Sequence, residues 1–339
     1  MADSTPVGAG PIPLGRDPVR VLRGPSGPVA SYVTDDEANL DPATVTAFGR
    51  EWERFSDFTD AEIETGGREY FADLVSDDML RDARVLDVGC GSGRWTRYFA
   101  ARAAFVESAD PGRAALVAAK ATAALPNVRV IQAGVSSLPY PADSFDLVAS
   151  VGVLHHVPDP ADAIGRLAVL VRPGGWLYAY LYYRVEDRPW SYRAAFRASN
   201  ALRRLVSGLP HPIKVVVCDV AAMTIYLPFV ALATIVKRLS RAPRAHEHIP
   251  LHYYVGRPWK VIRNDALDRL GTPLERRFSK AEITEMLHRA GLRDLRFGDA
   301  MPRWRVVARK PLTSGTSSDR AFTSPRSQIA AHRIQGRAS

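Results

Sequence analysis

The stretch VLDVGCGSGRWT, residues 85–96, carries a short apolar run straight into glycines at every second position, Gly89, Gly91 and Gly93. Glycine where a strand turns into a helix lets backbone N–H groups approach a ligand with no Cβ in the way, and the helix N-terminus favours negative charge. Several nucleotide sites share that design, and the spacing separates them. A dinucleotide loop, G-x-G-x-x-G, needs glycine at 94, where this chain has Arg94. A P-loop needs Gly-Lys-Ser/Thr, which is absent. Asp87, two residues before the first glycine, would repel a pyrophosphate and suits a cation, reached directly or through water. Asp110 stands about twenty residues on, at the end of the next strand-like run, where a carboxylate can accept from both hydroxyls of a ribose. The ligand these residues imply is a nucleoside with a ribose and a positive charge.

The surrounding pattern gives the fold. VLDVG (85–89), AFVESAD (104–110), VRVIQAG (128–134), FDLVAS (145–150) and WLYAYLYY (176–183) read as strands, most of them continuously apolar as parallel strands buried on both faces should be. Helix-like segments intervene. One has Asp159 to cap it, Pro160 in its first turn and Gly174-Gly175 beyond its end. Strand–helix alternation predicts an α/β fold with a doubly wound, mostly parallel sheet. After an interruption, Ser279 and Glu282 make a capping box and Ile283, Met286, Leu287 and Ala290 share one helical face. LRFG (295–298) and RWRVVARK (303–310) then follow so closely that they must pair antiparallel, which closes the sheet with a hairpin.

S-adenosylmethionine carries an adenosine, an ammonium and a sulfonium, and so meets the ligand description. With that, the chain resembles the class I S-adenosylmethionine-dependent methyltransferases. VLDVGCGSG matches the family's first motif and Asp110 its ribose acid. SSLPYPADSFDLV (136–148), VGVLHHVPDP (151–160) and VRPGG (171–175) resemble the small-molecule branch around ubiquinone and menaquinone biosynthesis. The resemblance covers about 45–183 and 272–310. It implies a Rossmann-like sheet and S-adenosyl-L-methionine as cofactor, held by Asp87, Gly89, Gly91, Gly93, Asp110, Pro111, Val135 and Val151. Where the family often places an acid for the adenine amino group, this chain reads Gly134-Val135, leaving that contact to backbone groups or to a neighbour such as Ser136.

Methyl transfer from a sulfonium is an in-line displacement that needs orientation, exclusion of water and sometimes a base. His155 and His156, just past the fourth strand, are the candidate bases, and they favour oxygen as the methylated atom. Tyr182, Tyr183, His252 and Tyr254 are candidate substrate-pocket residues. FGREWERFSDF (48–58) resembles an N-terminal cover over the cofactor, with Trp52, Phe55 and Tyr70 as contacts. The expected reaction is methylation of a hydroxyl on an apolar acceptor of the secondary-metabolite, quinone or glycolipid kind.

Composition sets the boundaries. Residues 1–30 hold six Pro and five Gly and predict a disordered tail, as does the Ser/Thr-rich 311–339. Between the tails lie the cover and core (31–183), an insertion (184–278) and the closing helix and hairpin (279–310). Two cysteines argue against a disulfide framework or structural zinc, no metal site is expected, and the N-terminus lacks a signal-peptide pattern, which predicts a cytoplasmic protein. Net charge is +9, and the segment Arg184–His248 carries 11 Lys/Arg against 4 Asp/Glu. A nucleic-acid methyltransferase would offer Asn/Asp-Pro-Pro-Tyr/Phe or a nucleophilic cysteine after the fourth strand; SVGVLHH offers neither, so a nucleic-acid partner is not expected and a small-molecule substrate is. Within the insertion, VVVCDVAAMTIYLPFVALATIV (215–236) is long and apolar enough to suggest a membrane span, but strands on both sides must join one sheet. It predicts a helical lid broken near Pro228 and packed over an apolar substrate, a peripheral membrane contact through 214–244 that uses the flanking cations, or an oligomer contact.

Overall fold

The computed structural model describes residues 10–185, 190–240, 242, 244–298 and 303–312. In chain order the elements begin with a hairpin, β1 (Arg20–Gly24) and β2 (Gly27–Ser31), and a helical cover, α1 (Pro42–Arg54), α2 (Asp60–Phe71) and α3 (Asp77–Leu80). The alternating core is β3 (Arg84–Val88), α4 (Arg94–Ala100), β4 (Phe105–Asp110), α5 (Ala114–Ala121), β5 (Val128–Gln132), β6 (Phe145–Val151), α6 (Pro160–Leu170) and β7 (Val171–Tyr182). The insertion supplies α7 (Trp190–Ser207), α8 (His211–Ala221), α9 (Leu227–Leu239) and α10 (Trp259–Gly271); α11 (Lys280–Arg289), β8 (Arg293–Phe297) and β9 (Arg303–Arg309) close the core.

One sheet takes all nine strands in the order β1-β2-β5-β4-β3-β6-β7-β9-β8. β5, β4, β3, β6 and β7 run parallel, and β9 and β8 add antiparallel, as the spacing of the last two runs demands. Apolar cores form on both faces. One packs the sheet against α6 and α11, through Ile164, Leu167, Ile283 and Leu287; the other packs it against α2 and α4, through Phe71, Trp95 and Phe99. Both punctuated helices start as their sequences dictate. Asp159 accepts from the backbone N–H of Ala161 and Asp162, and Ser279 with Glu282 forms a reciprocal capping box.

Three expectations change. The stretch up to residue 30 does not stay disordered over its described part: β1 pairs with β2, and β2 joins the edge of β5 in parallel through Ser31 and Gln132. Backbone groups hold this segment, so its low apolar content is no obstacle; Ile12 N–H donates to Glu107 at 3.1 Å and Gly15 N–H to the Pro139 carbonyl at 2.7 Å. Second, β7 starts at Val171 and not at Trp176, so Gly174 and Gly175, which do follow the end of α6, sit inside the strand. Pairing shifts register between Phe145 and Leu147 there, and Gly174 takes φ +78°, a bulge that only glycine enters cheaply. Third, the helix does not break at Pro228. A π-turn over Ala222–Tyr226 widens the backbone just ahead of the proline, so α8 and α9 form one rod from His211 to Leu239. The expected C-terminal tail lies outside the described residues beyond Leu312.

Candidate active site

The glycine loop after β3 is built from left-handed backbone: Gly89, Gly91 and Gly93 have φ of +74°, +54° and +78°. Each glycine is needed for a different reason. A Cβ on Gly89 would stand 2.1 Å from Val153, one on Gly91 2.8 Å from the Trp52 indole, and one on Gly93 3.1 Å from the Ala118 backbone in α5. Gly89 therefore borders the ligand space, Gly91 admits the cover helix, and Gly93 lets α4 start against α5. Asp110 is tied to this loop from the next strand, since its Oδ2 accepts from Gly91 N–H at 3.1 Å and its Oδ1 from Gly112 N–H at 2.8 Å. Burial pushes its pKa up to about 6, against those two hydrogen bonds.

Over the loop lies a cavity of about 780 Å³, open to one side. Gly89, Asp110, Pro111, Val135, Val151 and His156 line it from the core, and Phe48 and Trp52 of α1 close it. Asp87 does not reach it. The carboxylate is 1% exposed and accepts from Thr96 Oγ1 at 2.7 Å, with Thr96 in turn 2.8 Å from Ser108 Oγ. It fastens α4 beneath the loop, so a direct contact with a cationic ligand is excluded, and burial pushes its pKa up to about 7. At the Gly134 end of the cavity, Glu37 fills the space that a side chain at 134 would take. Its Oε1 stands 2.6 Å from where a Gly134 Cβ would be, buried and without a hydrogen-bond partner.

These residues fit S-adenosylmethionine: a cradle in which a Cβ at Gly89 would clash, an acid at the cavity wall held by backbone donors, and an orphaned carboxylate oxygen beside Gly134. Residues 86–179 match the family model described as a methyltransferase domain. The ubiquinone biosynthesis O-methyltransferase of Neisseria meningitidis serogroup C is 32% identical over 183 residues, which cover 51% of this chain and 75% of that one. The protein of the same name from Saccharophagus degradans is 30% identical over 184 residues, 52% of this chain and 76% of that one. The chain is a class I S-adenosylmethionine-dependent methyltransferase. Among solved structures it is similar to the YcgJ protein from Bacillus subtilis, with 14% identity, a TM-score of 0.44, and coverage of 74% of this chain and 97% of that one. The methyltransferase uses S-adenosylmethionine as its cosubstrate, as the family does.

A second chamber, about 680 Å³, adjoins the cofactor cavity and shares Phe48, Trp52, Val151 and Gly152 with it. Its walls are aromatic, from Tyr70, Trp95, Tyr180, Tyr182 and Tyr253, and its floor is charged, from Glu51, Asp265, Asp268, Arg269 and Arg303. Glu51 is 4% exposed, one of its carboxylate oxygens has no hydrogen-bond partner, and burial with Asp268 and Asp265 nearby holds its pKa well above the usual carboxylate range. Burial also raises Asp268, which accepts from the Tyr182 hydroxyl at 2.6 Å.

Of the sequence candidates, Tyr182 lines this chamber and His156 lines the cofactor cavity, its Nδ1 2.6 Å from the Leu274 carbonyl. His155 lines neither. It is fully buried, stacked on Tyr182 at 3.8 Å between ring centroids, and burial holds its pKa well below the ordinary histidine value. It packs the loop and has no access to an acceptor. Tyr183 lies under Trp304 in the core, Tyr254 is 1% exposed and donates to Asp265 at 2.8 Å, and His252 Nδ1 sits 3.0 Å from the Ile249 carbonyl. None of these three borders the chamber. In the cover, Trp52 meets the cofactor cavity and Tyr70 the chamber, while Phe55 packs with Val206 and Cys218 of the insertion. Glu37, Glu51, Asp268 and Arg303 went unread in the sequence, because no local motif marks an acid on a cover helix or a cation on a closing strand as facing a cavity.

Proposed function

We propose that the methyltransferase transfers the methyl group to a hydroxyl oxygen of a small, flat, quinone-like acceptor held in the second chamber, with Glu51 as general base. The observation that carries this reading is the chamber itself: aromatic walls for a ring, a wall shared with the cofactor cavity, and a buried carboxylate oxygen with no partner. The names of the two relatives point the same way. Asp110 would accept from the ribose hydroxyls, Pro111, Val135 and Val151 would hold the adenosine, and Glu37 would accept from the adenine amino group in place of the acid missing at 134–135. His156 and Trp52 would shape the space between the two ligands.

When bound, S-adenosylmethionine supplies a methyl group on a sulfonium, whose carbon–sulfur bond breaks with both electrons left on sulfur. Glu51 takes the hydroxyl proton as the acceptor oxygen forms its bond to the methyl carbon. Burial beside Asp268 and Asp265 makes this carboxylate a stronger base than an exposed one, the direction that favours proton uptake from a hydroxyl. The test uses catechol and a prenylated catechol with labelled cosubstrate. Glu51→Gln is expected to keep cofactor affinity in calorimetry and to lower turnover by about a hundredfold or more. An unchanged rate in Glu51→Gln would remove the base, and absence of methyl transfer to either catechol would remove the oxygen assignment.

A further inference from the structure

The largest feature that cofactor and acceptor leave unused is the outer side of the insertion. The rod from His211 to Leu239 is 29 residues long, and only 22% of its apolar window is buried. Its inner face, Cys218, Ala221, Ala222 and Tyr226, packs on Leu267, Leu270, Ile262 and Ala266 of α10. Among the described residues its outer face has no such cover: Val216, Val220, Met223, Leu232, Ile235 and Leu239 are 61%, 47%, 49%, 48%, 52% and 78% exposed. The packed lid expected from the sequence would have buried these side chains. A continuous apolar face of this size marks an interaction surface.

Charge identifies the occupant. Between 190 and 239 the single acid is Asp219, and it is bound to Arg263. Arg193, Arg197 and Arg204 on α7 and Lys237 and Arg238 at the end of α9 are exposed. Lys214, which the sequence grouped with them, is buried and donates to the Gly271 carbonyl at 3.1 Å, so it belongs to the packing against α10. An apolar rod that ends on exposed Lys237 and Arg238 and carries no acid but the ion-paired Asp219 suits an anionic bilayer surface and would set like charges against each other in a second copy. The rod does not span. β7 before the insertion and β9 after it are neighbours in one sheet, so both ends of the rod stay on the same side. We infer that α7–α9 docks the methyltransferase on an anionic membrane, with the rod lying in the headgroup layer. α10, packed on the back of the rod, carries Asn264, Asp265, Asp268 and Arg269 into the acceptor chamber, which docking brings close to the lipid surface.

The experiment is vesicle flotation of the full chain with phosphatidylcholine vesicles and with phosphatidylcholine–phosphatidylglycerol vesicles, and it does not depend on the acceptor. Binding is expected to the anionic vesicles and to weaken with salt. Each exposed cation near such a surface contributes about fivefold in partitioning, so Lys237→Glu with Arg238→Glu should lower it more than tenfold with an unchanged melting temperature. Leu232→Ser with Leu239→Ser should release the protein from the anionic vesicles. Absence of binding to anionic vesicles overturns the proposal, as does binding that the double charge reversal leaves unchanged. A concentration-dependent dimer in sedimentation, lost in Leu232→Ser with Leu239→Ser and accompanied by no vesicle binding, would assign the face to a second copy instead.

Discussion

Asp110 shows how one side chain ties a loop to a cavity wall: its two oxygens accept from Gly91 and Gly112, which fixes the carboxylate there with lone pairs to spare. Hydrogen bonds to a charged group are worth about 1.5–3 kcal/mol, so Asp110→Ala should weaken S-adenosylmethionine binding about tenfold or more in calorimetry. Because ionised Asp110 is the better acceptor and its pKa is pushed up to about 6, wild-type affinity should fall as pH drops through 6. Asp87 gives a stability effect of definite sign. Its folded pKa of about 7 lies above the unfolded carboxylate value of about 3.9, so between those pH values the native state binds more protons and stability is lost as pH rises. Asp87→Asn, which keeps an oxygen for Thr96, should therefore gain in melting temperature relative to wild type as pH goes from about 5 to about 8. The place of Asp110 at the end of β4 was legible in the sequence because a strand end is a local property. The burial of Asp87 was not, since which face of β3 meets α4 is settled by packing.

Among the elements, the alternation of apolar runs and helices located the core strands of the sheet to within a few residues, apart from an earlier start to β7, because parallel strands buried on both faces have no other composition open to them. The N-terminal hairpin was missed for the converse reason. It is held by backbone pairing at a sheet edge, and its prolines and glycines look like disorder to any argument from apolar content. Deleting residues 1–31 should uncover the β5 edge and lower the melting temperature, with aggregation visible by light scattering; an unchanged melt would mean that the hairpin adds nothing to the sheet. The rod of α8–α9 teaches a related lesson, for a proline signal read as a break is absorbed by one wide turn.

At the scale of the molecule, the second chamber exists only because separated parts of the chain meet: α1 brings Glu51, α2 Tyr70, α4 Trp95, β7 Tyr180 and Tyr182, α10 Asn264, Asp265 and Asp268, and β9 Arg303. A change in one wall should alter acceptor recognition and leave the cofactor alone. Arg303→Ala is expected to raise the KM for the acceptor several-fold with cofactor affinity unchanged, and a matching loss of cofactor affinity would show that the two spaces are not separate. The sequence by itself determined the sheet, the glycine turn and the nature of the methyl donor, since strand period, left-handed glycines and a strand-end acid are constraints written within about twenty-five residues. Only the tertiary structure decided which acids line the second chamber, which histidine is walled off, that Glu37 fills the space beside Gly134, and that the insertion turns its apolar face outward. Those properties depend on contacts between residues far apart in the chain, and no local pattern carries them.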